Sequence, residues 1–136
     1  MRLKMSSSRI FEHAIRVRAA DIDGQGHVNN VVYLRYAQDA AVAHWKAAAP
    51  PEARETLSWV TRRHEIDYLR PAFLDDELIA RTWIESVSGA SMERRIDIVR
   101  PADAAHLIRV LTHWVAVNPQ THRPKRIDDR IKALFM

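Results

Sequence analysis

Residues 20–34 read ADIDGQGHVNNVVYL, and two carboxylates, two glycines, an imidazole and two asparagines fall within the ten positions from Asp21 to Asn30. A turn needs only one glycine and one capping side chain, so this segment carries a surplus of polar groups. Asp21 and Asp23 are carboxylates, the residue type that serves as general base or nucleophile. In an extended backbone the two would point the same way; in a turn they would not. Gly24 and Gly26 let the chain bend sharply or pass close to a ligand. A helical pattern begins near residues 27–30, and the first turn of a helix exposes N–H groups without intrahelical partners at the positive end of its dipole. Those groups hold a carbonyl oxygen or an oxyanion. A carboxylate beside an oxyanion donor is the pairing that acyl transfer to water requires. Taken singly, each of these residues is an ordinary cap or turn residue. The cluster as a whole points to chemistry.

The elements that must position this loop follow from periodicity. FEHAIRVRAAD reads as a first strand. From about Asn30 to Ala47, Tyr33, Tyr36, Ala37, Ala40, Ala41, His44 and Trp45 recur at three- and four-residue spacings and make one face of a long helix. The prolines of PPE end it. The period then changes to two, and TLSWVTRRHEIDYL, LIARTWIESV, MERRIDIVR and HLIRVLTHWVAVN read as four strands joined by short turns. IDDRIKALFM reads as a short terminal helix. Successive strands with short links imply an antiparallel sheet, with the helix covering one face: an α+β fold. The last strand is apolar on both parities, with Leu107, Leu111, Val115 and Val117 on one and Ile108, Val110, Trp114 and Ala116 on the other. A second subunit covering part of it is therefore expected.

At 136 residues the chain is expected to be a single domain, spanning 1–136. The absence of cysteine excludes disulfides, thiolate metal sites and Cys nucleophiles. It fits a reducing compartment, and a cytoplasmic location is expected because the start of the chain lacks the apolar core of a signal peptide. No run approaches the roughly 18 apolar residues of a membrane span. The net charge of +4 is scattered among acids, as in RPKRIDDRIK, rather than gathered on one stripe, so nucleic acid is not an expected partner. No spacing of His, Asp and Glu projects three ligands onto one point, so no metal is expected. Three glycines cannot supply a phosphate-binding fingerprint in addition to this loop, and there is no G-x-S-x-G elbow. Outside the loop, His64 reads as a satisfied strand histidine, His44 and Trp45 as core or interface, and Glu65 and Asp67 as a polar strand face. Arg62, Arg63, Arg94, Arg95, Lys125 and Arg126 are cations available to a phosphate.

The order D-x-D-x-x-G-H-V-N-N-x-x-Y, from Asp21 to Tyr33, resembles the hotdog-fold acyl-CoA thioesterases of the 4-hydroxybenzoyl-CoA thioesterase-like family. IDYLRPAFLDDEL and THWVAVNPQTHRPKRI extend the likeness from Arg16 to Ile127. The resemblance implies an antiparallel sheet wrapped around one long central helix, and a homodimer or homotetramer with active sites at the dimer interface. It implies thioester hydrolysis without a cofactor, Asp23 serving as general base or nucleophile and the Asn30 backbone N–H as oxyanion donor. Asp21 would orient the loop. Where the aryl-specific enzymes tend to be apolar or aromatic, this chain has His27, Asn29 and Asn30. That H-V-N-N form is closer to fatty acyl thioesterases, including plant acyl-carrier-protein enzymes, so His27 would polarise the carbonyl or activate water and Asn29 would position it. An aliphatic acyl-CoA is the expected substrate; the alternatives are an acyl-carrier-protein thioester, or a module that binds acyl or CoA groups without cleaving them.

Overall fold

The computed structural model describes residues 9–136, so the basic start of the chain lies outside the described residues. Five strands form one antiparallel sheet: β1 (Phe11–Arg16), β2 (Ser58–Tyr68), β3 (Glu77–Ser88), β4 (Ser91–Arg100) and β5 (Ala105–Val117). Their order is β1-β3-β4-β5-β2, which leaves β1 and β2 as the edges. The long helix α1 (Asn30–Ala48) lies across the inner face. It buries Tyr33, Tyr36, Ala37, Ala40, Ala41 and His44, all on the apolar face read from the sequence. The alanines let the helix approach the sheet closely. Around them, α1 and the sheet share two apolar clusters, one beneath the start of the helix and one beneath its end.

Three features differ from the sequence reading. Pro50 ends α1, but Pro51 opens a further short helix, α2 (Pro51–Thr56), because proline suits a first helical position, where its missing N–H would have no partner anyway. The end of β5 is apolar on both faces and is already buried within the protomer, Val115 at 9% and Val117 at 5% exposure. Residues beyond it fold back, pairing Val117 with Pro124 and donating Lys125 N to Ala116 O at 2.8 Å, before the short helix α3 (Asp129–Ala133). That apolarity therefore does not by itself require a second subunit. Finally, Arg94 is not available to a phosphate, because it shares the inward-facing parity of β4 with Met92, Ile96 and Ile98 and is 0% exposed.

Arg94 instead holds the second cluster together. Its Nη1 donates to Thr82 Oγ1 and to His44 Nδ1, both at 2.9 Å, and its guanidinium stacks on Trp114 at 5.0 Å. Arginine only donates, so the accepting His44 nitrogen is unprotonated. Burial lowers Arg94 to about 9. Burial first, and the Arg94 charge second, push His44 down from 6.5 to about 3. The unfolded chain therefore binds the extra proton between those two values, and stability should fall as pH drops from 6.5 towards about 3. His44→Gln keeps an acceptor but does not titrate. Denaturant unfolding at neutral and mildly acidic pH should show a shallower loss of stability in that variant than in the parent.

Candidate active site

The loop between β1 and α1 is pinned on both sides. A 3-10 turn (Ala19–Asp21) delivers the Asp21 side chain into the interior, where the residue is 3% exposed. Its Oδ1 accepts from Arg35 Nη2 at 2.6 Å. Its Oδ2 accepts from the Tyr36 hydroxyl at 2.6 Å and from Arg18 N at 3.1 Å. Burial pushes this carboxyl upwards, but the bonds from Tyr36, Arg35 and Arg18 outweigh it and hold the pKa below 3.8. Burial and the bond to Asp21 also raise the Tyr36 hydroxyl. Asn29 N donates to Asp21 O at 3.0 Å and Val28 N to Ala72 O at 2.9 Å, so both ends of the loop are tied to neighbouring chain.

Between those ties the backbone turns tightly. Ile22 and Val28 form an isolated antiparallel bridge, and Asp23 N donates to His27 O at 2.9 Å. Gly26 sits at φ +88°, a conformation that L side chains rarely adopt, which is why this glycine is needed. Asp23 does not follow Asp21 into the interior. Its Oδ1 accepts from Gln25 N at 2.8 Å, an Asx turn, and its Oδ2 lies 3.9 Å from His27 Nδ1. The Asp23 side chain keeps 26% exposure, so one oxygen shapes the loop while the other holds no hydrogen bond within it.

Asn29 is the N-cap of α1, its Oδ1 accepting from Val31 N at 3.1 Å. Its carboxamide oxygen is therefore already engaged. The next N–H, that of Asn30, has no acceptor among the described residues. It is the exposed helix-start donor anticipated from the sequence.

A cleft of about 240 Å³ opens at this helix start, lined by His27, Asn30, Tyr33, Tyr68, Leu69, Arg70 and Pro71. The Tyr68 hydroxyl donates to Asn30 O at 3.4 Å, and its ring meets Tyr33 edge-on at 5.9 Å. Ala72 N donates to the Tyr33 hydroxyl at 2.8 Å. Arg100 braces the same wall, donating to Pro71 O and pairing with Asp76 and Asp103. Thus His27 and Asn30 line the cleft, Asp23 lies outside that lining with its Oδ2 3.9 Å from His27 Nδ1, and Asn29 caps the helix start. Larger cavities, two of about 320 Å³ and one of about 420 Å³, lie elsewhere, but none is lined by His27 or Asn30 of the turn that carries Asp23. Chemistry, not size, picks out the smaller cleft.

Residues 17–135 match the family described as the Thioesterase-like superfamily. The chain belongs to that superfamily. It is 27% identical over 132 residues to the acyl-CoA thioester hydrolase YbgC of Escherichia coli O6:H1, covering 95% of this chain and 98% of YbgC. The fold superposes on Slr0204, a 1,4-dihydroxy-2-naphthoyl-CoA thioesterase from Synechocystis, with TM-score 0.81, 19% identity, and coverage of 93% of this chain and 95% of that one. It also superposes on a Thermus thermophilus thioesterase complexed with coenzyme A and Zn, with TM-score 0.79, 25% identity, and coverage of 96% and 93%. The antiparallel five-stranded sheet with its central helix is the hotdog fold of these thioesterases.

Sequence reading missed several members of this site. Tyr68 lines the cleft from the end of β2, and Arg35 and Tyr36 grip Asp21 from the helix. The aromatic at the end of a strand carried no local signal. Tyr36 was legible only as core. Arg35 pairs with a residue fourteen positions earlier, a contact that exists only once the loop has folded against the helix. His64 behaves as expected, its Nδ1 lying 2.9 Å from Thr112 Oγ1, and Glu65 and Asp67 face solvent. No helix among the described residues is long and apolar enough to cross a membrane.

Proposed function

We propose that the chain hydrolyses acyl-CoA thioesters with aliphatic acyl groups, using Asp23 as its catalytic carboxylate and the Asn30 N–H as oxyanion donor. The class of reaction, thioester hydrolysis, follows from the superfamily. The observation that carries the finer reading is the 3.9 Å approach of Asp23 Oδ2 to His27, next to a cleft lined by His27 and by Asn30, whose helix-start N–H has no acceptor among the described residues.

The thioester carbonyl oxygen points at the Asn30 N–H, where the growing negative charge of the tetrahedral intermediate is stabilised without reorganisation. On the general-base route, Asp23 takes a proton from water as the water oxygen bonds to the carbonyl carbon. The C–S bond then breaks, the proton passes to the departing thiolate, and free acid and CoA thiol leave. On the nucleophilic route, Asp23 bonds to the carbonyl carbon first, expelling the thiolate, and water cleaves the resulting anhydride. In either case His27 donates to the carbonyl oxygen or steers the water. Asn29 acts through the backbone, by fixing the direction of the Asn30 N–H.

The apolar and aromatic walls of the cleft, and the H-V-N-N form of the loop, favour an aliphatic acyl group. Steady-state kinetics on matched aliphatic and aromatic acyl-CoAs test this. The aliphatic esters should have kcat/KM higher by roughly tenfold or more. Equal or better turnover of the aromatic esters would contradict the substrate assignment.

A homodimer is part of the reading. Strand β2 is an edge of eleven residues whose outer backbone groups have no strand partner among the described residues. Val60, Tyr68 and Leu69 are about half exposed along and beyond it. An uncovered edge of that length invites pairing, and a second copy joined by a two-fold axis satisfies it. It also closes the open side of the cleft at Tyr68. Val60→Glu, which the protomer tolerates because the position is exposed, should shift sedimentation towards the monomer and lower kcat/KM in parallel. An unchanged oligomer with unchanged activity would exclude β2 as the joining edge. The cysteine-free composition suits a reducing, cytoplasmic setting for this chemistry.

A further inference from the structure

A cavity of about 320 Å³ lies at the far end of α1 from the catalytic loop, between α2 and α3. Ala53, Leu57, Ile131 and Leu134 give it an apolar floor. Lys125, Arg126 and Arg130 stand among its lining residues, with Glu52 and Asp128 as the opposing acids. Asp128 is already engaged, its Oδ1 accepting from Ile131 N at 3.0 Å. Lys125 Nζ donates to Thr56 O at 3.1 Å, and among the described residues Arg126 and Arg130 enter no ion pair. The hydrolytic reading uses none of these groups.

We infer that this cavity receives the adenine nucleotide end of coenzyme A, the flat base on the apolar floor and the phosphates against Arg126, Arg130 and Lys125. The inference rests on the acyl-CoA and dimer readings above and adds a second binding site to them. Within one protomer the distance is too great to be useful: α1 has 19 residues, so cavity and cleft stand ~28 Å apart along it at ~1.5 Å per residue. The dimer removes the difficulty. Antiparallel pairing of two β2 edges about a two-fold axis sets the Ser58 end of one copy beside the Tyr68 end of the other. Leu57 of the cavity immediately precedes Ser58, and Tyr68 lines the cleft. Both lie on the helix side of the sheet, since Leu57 and Leu134 pack in the same cluster as Ala41 and Trp45 of α1, and Tyr33 of α1 lines the cleft. The cavity of one copy therefore comes to the same end of the shared sheet as the cleft of the other. A carrier with its thioester in one and its nucleotide in the other bridges the subunit boundary. An apolar floor beneath unpaired cations matches an amphipathic anion of this kind better than a neutral ligand.

The test compares one acyl group carried on CoA, on 3′-dephospho-CoA and on N-acetylcysteamine, which lacks the nucleotide altogether. In the parent, KM should be lowest for the CoA ester and higher by about tenfold or more for the truncated one, the loss expected for ~1.4 kcal/mol of contact. The double substitution Arg126→Glu, Arg130→Glu should narrow that gap by raising KM for the CoA ester, and Arg126→Lys with Arg130→Lys should largely restore it. Equal KM values for the CoA and truncated esters in the parent would overturn the inference. So would a double variant that raises both values alike, or a clear preference for acyl-carrier protein over CoA that the same substitutions abolish. If the truncated ester is turned over without any CoA preference, the hydrolase reading stands and the nucleotide site falls. If no ester is turned over, calorimetry with free CoA decides: roughly tenfold weaker binding in the double variant supports the site, and equal affinity refutes it.

Discussion

Asp23→Asn should fold and melt like the parent while losing ~10²–10⁴-fold in kcat, the range expected when a positioned carboxylate is neutralised. The substitution is nearly isosteric, and the carboxamide oxygen can still accept from Gln25 N, so the Asx turn that shapes the loop survives. What disappears is the second carboxylate oxygen, the one 3.9 Å from His27 Nδ1. Because the cleft walls and the Asn30 N–H are untouched, KM should move far less than kcat. Loss of an interaction used only in the transition state has that signature. Ordinary turnover by Asp23→Asn would remove the assigned mechanism whatever its effect on stability.

Asp21→Ala should do the opposite, destabilising the fold by ~3 kcal/mol and losing activity as a consequence. Its carboxylate is the common acceptor for Tyr36, Arg35 and Arg18 N. Removing it strands the buried Tyr36 hydroxyl, at ~1–3 kcal/mol for a buried unsatisfied donor, and also breaks the part-buried bond from Arg18 N. The Arg35 side chain is 56% exposed, so losing its charge partner adds little. The pH dependence separates packing from charge. The folded pKa of Asp21 lies below 3.8, so its stabilisation is complete above that value and is lost as pH falls through the folded pKa. Asp21→Asn should therefore show a shallower acid-induced loss of stability below about pH 4 than the parent. Denaturant midpoints across that range measure it, and parallel curves for the two proteins would exclude the charged anchor.

The contrast between the two aspartates shows what the sequence carried and what it did not. Their spacing marked both as candidates, and the glycines marked the turn, but only the folded loop sends Asp21 inwards and Asp23 outwards. Helix α1 and all five strands were legible because their apolar positions recur at 3.6 or 2 residues, a property of each segment alone. Helix α2 was not, because Pro51 reads equally as the end of one helix and the start of another. Arg94 was misplaced for a related reason. A charged residue on a strand suggests solvent, and only the sheet register, which sets Arg94 beside Thr112 beneath His44, reveals it as buried. Asn29 and Asn30 were recognised together, but the cap geometry separates them: the Asn29 side chain holds the helix start, while Asn30 lines the cleft and its N–H has no acceptor among the described residues.

Release of free CoA thiol by the unmodified protein, followed across acyl-CoAs of increasing chain length with the free acid quantified alongside, tests the central claim most directly. The account predicts many turnovers per chain on at least one aliphatic ester, with acid and thiol appearing in equal amounts. An ester that raises the melting temperature, and so binds, yet is never consumed would contradict it and leave a binding module in its place.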